Sequence, residues 1–160
     1  MILRHRAGLA LVLWVASAGL AAGCELVLTE HRSGRWLAQL PMDPAQPVVR
    51  LAFVHSVLQT PVLDVYHWRP DALGRWQAHL VEEHFEGDGY GLPHTAAAGE
   101  KLVRQGDGWR LELSRKVDPL VVRPLPAQRM RLIRPGQPDL LLATLSSQAI
   151  EFQSRDCRTP

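Results

Sequence analysis

Four polar side chains stand within ten residues of one another, His55, Ser56, Thr60 and Asp64, and together they offer an imidazole donor, two adaptable hydroxyls and a carboxylate. The apolar runs Val48 to Val54 and Val62 to Trp68 flank them. This places His55 at the end of one strand and Asp64 near the start of the next, so that the side chains are expected to converge above a turn. Pro61 fixes φ, lacks an N–H and biases Thr60 toward an extended backbone, which makes the turn a rigid presentation. Such a set would hold a small anion or carboxylate, with the imidazole donating. The plainer expectation is that His55 bonds the turn's own backbone and Ser56 caps it, because satisfied polar turns are far commoner than sites.

Other chemistries are weighed on the same residues. A hydrolase would need Ser56 as nucleophile, a histidine as base and Asp64 or Glu83 as orienter. Adjacent His55 and Ser56 on extended backbone point to opposite faces, and no G-x-S-x-G elbow surrounds the serine. Metal binding could draw on His31, His55, His67, His79, His84 and His94 with Glu82, Glu83 and Asp88. His79 and His84 are five apart, hence on opposite faces of a regular strand, and neither H-x-H nor H-E-x-x-H spacing occurs. Neither a metal nor another cofactor is expected. The segment Gly87 to Pro93 holds a Gly-x-Gly pair, but no helix start with lysine follows it, as a phosphate-cradling loop would require. Its glycines read as positive-φ corners, with Leu92 plugging the core and Pro93 stiffening the exit.

The elements that must position these residues are short runs with a period of two, separated by turn chemistry. Glu25 to Thr29 and Trp36 to Leu40 come first, joined through Ser33-Gly34, and Pro41, Asp43, Pro44 and Pro47 close the pair in a stiff loop. Arg75 to Phe85 is expected as a long strand in which Trp76, Ala78, Leu80 and Glu82 share a face, opposite Gln77, His79, Val81 and Glu83. Lys101 to Arg104 and Trp109 to Ser114 flank Gln105-Gly106-Asp107-Gly108 as a hairpin. Leu120 to Arg123, Arg129 to Ile133, Leu140 to Leu145 and Ile150 to Gln153 complete the run, with a short helix as the alternative for Leu140 to Ser147. Trp36, Trp68, Trp76 and Trp109 are expected to anchor the core. Eight to ten short strands predict an all-β fold, an antiparallel β-sandwich or a partly closed barrel.

His55-Ser56-Val57-x-x-Thr60-Pro61-Val62, followed by Gly89-x-Gly91-Leu92-Pro93, resembles the signature of the DUF1850 family of small exported bacterial proteins. The family's first motif commonly continues with Glu near the position of Asp64, so this chain keeps the charge on a shorter arm. A serine often precedes the family's glycine pair, where this chain has Gly87 and Asp88. The resemblance implies association with TAXI-type TRAP transporters. It points to a non-enzymatic accessory protein that binds a transporter component or a small organic anion, a carboxylate for instance, through His55, Ser56, Thr60, Pro61, Asp64, Gly89, Gly91, Leu92 and Pro93. A metal- or ligand-binding β-sandwich unrelated to transport is the second reading, and hydrolysis through Ser56 the third.

Export is written at the amino terminus. Arg4 and Arg6, an uncharged run from Ala7 to Ala22 and the small residues Ala21-Ala22-Gly23 make residues 1–23 a signal segment, with a retained anchor as second choice. Residues 24–160 then form a single β domain in a periplasmic or other extracytoplasmic compartment. The segment carries two of the chain's 18 Lys and Arg and none of its 16 Asp and Glu, so the domain is balanced and gives no basic surface for nucleic acid. Membrane contact would come only through the anchor or a lipidated Cys24, since Leu20 to Cys24 approximates a lipoprotein box. The alternative fate of Cys24 is a disulfide with Cys157, which requires the first and last strands to be neighbours.

Overall fold

The computed structural model describes residues 23–157. The signal segment therefore lies, apart from Gly23, outside the described residues. Alternating apolar and polar side chains build eleven strands: β1 Glu25–Glu30, β2 Trp36–Pro41, β3 Val48–Val54, β4 Pro61–Pro70, β5 Trp76–Phe85, β6 Lys101–Gln105, β7 Gly108–Val117, β8 Leu120–Val122, β9 Arg131–Ile133, β10 Leu140–Leu141 and β11 Ile150–Arg155. They form two antiparallel sheets, one in the order β2-β1-β11-β8 and one in the order β10-β9-β3-β4-β5-β7-β6. The fold is thus a sandwich and not a closed barrel. Leu26 and Leu28 of β1 and Ile150 and Phe152 of β11 fill the space against Leu51, Tyr66 and Leu111 of the larger sheet, the face-to-face packing that period-two patterning prescribes.

Several expectations are corrected. The described residues hold eleven strands, one for each expected run and more than the eight to ten anticipated, and the Leu140 to Leu145 run is strand only in part: Leu140–Leu141 pairs with β9, and Leu142–Thr144 turns in a 3₁₀ helix. The run expected to begin at Arg129 starts at Arg131, since Arg129 takes φ 47° where it ends the 3₁₀ turn Pro126–Gln128. Trp68 is 5% exposed and belongs to the core, and Trp76 and Trp109 pack against it. Trp36 does not: it opens the edge strand β2 and is 60% exposed.

The largest departure lies in β5. Between β4 and β5 the register runs Val65 to Glu82 and then Tyr66 to Leu80, so Val81 is an extra residue, a β-bulge. A bulge inverts the facing of every residue beyond it. Glu83, not Glu82, joins the inward row of Trp76, Ala78 and Leu80, and His84 returns to the outward face that His79 already occupies.

The two ends of the described chain meet. Strand β1 pairs with β11 along its whole length, from Glu25 opposite Arg155 to Glu30 opposite Ile150, and Cys24 and Cys157 are joined by a disulfide with Cα atoms 4.0 Å apart. With its sulfur so bonded, Cys24 has none to offer an acyl group. The bond closes 133 residues of sequence separation, and restricting the unfolded chain over such a loop stabilises the fold by up to about 4 to 5 kcal/mol. Replacing both cysteines, C24S with C157S, is expected to lower the urea midpoint by the equivalent of about 2 to 5 kcal/mol. An unchanged midpoint would contradict this account of the linkage.

Candidate functional site

The turn between β3 and β4 is closed by its own atoms. The His55 N–H donates to the Thr60 carbonyl at 2.8 Å, the Gln59 N–H donates to the His55 carbonyl at 3.0 Å, and Gln59 takes φ 56° to allow it. His55 Nδ1 accepts the N–H groups of Leu58 at 3.1 Å and Val57 at 3.3 Å. The imidazole therefore caps the turn, as the plainer reading anticipates, and Nδ1 acts as an acceptor instead of a ligand donor. Ser56 contributes its carbonyl to Gln59 Nε2 at 2.8 Å.

Asp64 is not part of that turn. It pairs with Leu51, three register steps beyond the Val54–Pro61 pair, which puts it about 10 Å along the strand from the turn. The expected convergence of His55 with Asp64 does not occur, because β4 is already regular at Pro61 and carries the carboxylate away from the turn.

The turn meets the glycine segment instead. Thr60 Oγ1 donates to the carbonyl of Glu86 at 3.0 Å, and a side chain at Gly87 would come within 3.2 Å of Leu58 Cδ1. Gly89, Tyr90 and Gly91 all take positive φ, at 75°, 51° and 95°. This corner turns Leu92 back onto the core, and the Leu92 N–H donates to the Gly89 carbonyl at 3.0 Å. Tyr90, held in a conformation that suits glycine, is 73% exposed, and Val57 on the neighbouring turn is 55% exposed. Pro61 begins β4 directly below. The two segments thus share one end of the sandwich and present an aromatic and an aliphatic side chain to solvent.

Residues 49–140 match the family described as a domain of unknown function, DUF1850. The chain belongs to the DUF1850 family. No curated protein and no solved structure matches it.

The motif residue Asp64 sits in a second place of interest in this DUF1850 chain. Across the inner face of the larger sheet, one register row reads Leu140, Leu132, Leu51, Asp64, Glu83, Leu111 and Leu102. Two carboxyl groups stand side by side among five leucines. Burial first and the Glu83 charge second raise Asp64 to about 7, against the opposing hydrogen bond from Tyr66 Oη to Asp64 Oδ2 at 3.1 Å. Asp64 Oδ1 is buried with no hydrogen-bond partner among the described residues. Burial also raises Glu83, against the attraction of Arg115, which ion-pairs with Glu100 at 2.6 Å. Sequence reasoning singled out Asp64 from the motif but assigned Glu83 to the other face, since nothing in Leu80-Val81-Glu82 signals a bulge.

On the outward face, His67 stands opposite His79, and His79 opposite Lys116. Burial lowers both imidazoles, and Arg69 lowers them further. Among the described residues no group of three or more His, Cys, Asp or Glu is arranged to hold a metal ion.

The raised Asp64 has a direct consequence for stability. Between about pH 4, where an unfolded aspartate loses its proton, and about pH 7, the native state keeps a proton that the unfolded chain has lost. The contribution of Asp64 to stability should therefore be full below pH 4 and fall by about 1 kcal/mol per pH unit as the pH rises through that window. Asp64→Asn should remove this slope and leave the protein more stable than wild type at pH 8 but not at pH 4. Parallel pH profiles of the urea midpoint for the two proteins would contradict it.

Proposed function

We propose that this protein is an exported, non-enzymatic accessory protein of a TAXI-type TRAP transport system, and that it binds a transporter component through the end of the sandwich that carries both signature segments. The observation behind the proposal is the packing of those segments on each other, with Val57 and Tyr90 exposed in sequence-distant loops that the Thr60 to Glu86 bond joins at one end of the sandwich. An exposed tyrosine on a backbone held rigid by its neighbours loses little conformational freedom when covered, which is why such residues anchor interfaces. The polar atoms of the turn are spent on holding its shape, as the His55 Nδ1 contacts show, so specificity at this end rests on form and apolar contact. Membership of DUF1850 supports the transport context through the association that the family resemblance implies. The Cys24–Cys157 disulfide supports an oxidising compartment outside the cytoplasm.

The test is capture from the native envelope with the exported protein as bait. A subunit of the transporter should be recovered with wild type and lost with Tyr90→Ala and Val57→Asp, both exposed positions whose replacement leaves the fold intact by circular dichroism. His55→Ala should lower stability by about 1 kcal/mol through loss of the cap and weaken capture in proportion. Equal recovery by wild type and Tyr90→Ala, or recovery of no transporter subunit at all, would overturn the assignment.

A further inference from the structure

The outward face of the larger sheet contains a trough where an antiparallel sheet facing water would ordinarily carry polar side chains. One register row on this face reads Arg131, Ala52, Leu63 and His84, across β9, β3, β4 and β5. Ala52 is the short member of the row and makes the depression. Val54, Ile133 and Leu63 form its apolar walls, and the cavity measures about 360 Å³, within the range of small-molecule sites.

Two arginines border the trough at one end. Arg131 lies directly opposite Ala52, and Arg50 lies two residues before Ala52 on the same face. Arg131 donates through Nε to Asp139 at 3.0 Å. Arg50 is exposed and makes no ion pair or side-chain hydrogen bond among the described residues. At the other end His84 is held by Glu82 at 2.9 Å. A planar guanidinium with free donors, next to an apolar channel, is matched by a carboxylate that carries a hydrocarbon body. From Arg50 past Ala52 to Val54 the trough follows β3 for four residues, about 13 Å, which accommodates an acyl chain of medium length.

We propose that this trough binds a monocarboxylate with an apolar chain, the carboxylate on Arg50 and the chain laid over Ala52 between Leu63 and Ile133. The site is built on strands and uses none of the docking side chains Val57 and Tyr90, so it stands or falls independently of the transporter reading. It also differs from the anion site that the sequence suggests at His55, whose Nδ1 is already occupied by the turn.

Arg50 also borders a second cleft, of about 350 Å³, lined by Met42 and Gln46, and the experiment must tell the two apart. Octanoate titrated into the isotopically labelled protein, followed by amide and methyl shifts, is the probe. Saturable shifts at Ala52, Val54 and Leu63, which line the trough and not the second cleft, are expected. Arg50→Gln should weaken them at least tenfold, Ala52→Phe should abolish them by filling the depression while Arg50 remains, and octanol should give no saturation. The proposal is overturned by an absence of saturable shifts, by shifts confined to Met42 and Gln46, by equal binding of octanol, or by an Arg50→Gln protein that binds like wild type. Both variants are checked for a native spectrum, and Leu63→Glu replaces Ala52→Phe if the latter does not fold.

Discussion

The pairing of β1 with β11 is the contact on which the sandwich depends. The smaller sheet has only four strands, and its two central ones come from opposite ends of the described chain. Without that pairing Leu26, Leu28, Ile150 and Phe152 have no common surface, and the larger sheet has nothing to cover its leucines. The interaction is of very high sequence separation, so its closure entropy is among the largest the fold must overcome. The disulfide just outside the pair, Cys24 to Cys157, counters this cost by limiting the unfolded chain.

With the inner face covered, the character of the remaining sites follows from which side of each strand they occupy. Asp64 and Glu83 share the core side and inherit its low polarity, which is why a neutral carboxyl is favoured there. Ala52, Leu63 and Ile133 lie on the other face of the same sheet and line the trough there. The signature turn and the glycine corner lie on neither face. They cap one end of the central strands of the larger sheet, where backbone hydrogen bonds cannot continue and side chains such as Thr60 and His55 take over the pairing.

Much of this is legible in the residues. Val48 to Val54 is a strand with the bounds its β-branched and aromatic content suggests, and the glycines at 87, 89 and 91 take the positive φ expected of a corner. The two cysteines suggest neighbouring first and last strands only if they are joined, a choice that a lipidated Cys24 leaves open in the sequence. What escapes the sequence is phase. A single extra residue at Val81, chemically an ordinary strand former, decides which of two adjacent glutamates enters the core and whether two histidines share a face. Trp36 shows the same limit from another direction, because its apolar bulk suits a core and only its place on an edge strand leaves it in solvent. The position of Asp64 relative to His55 was equally hidden, since it turns on how many residues the turn uses before the strand becomes regular.

The covalent joining of the two ends has a mechanical meaning. A pull applied to the flanks of the described chain passes through one sulfur–sulfur bond, and the 132 residues between Cys24 and Cys157 are outside the load path. A domain wired in this way transmits tension without being extended by it. Under load, the surfaces borne by its strands and loops would keep the geometry they have at rest.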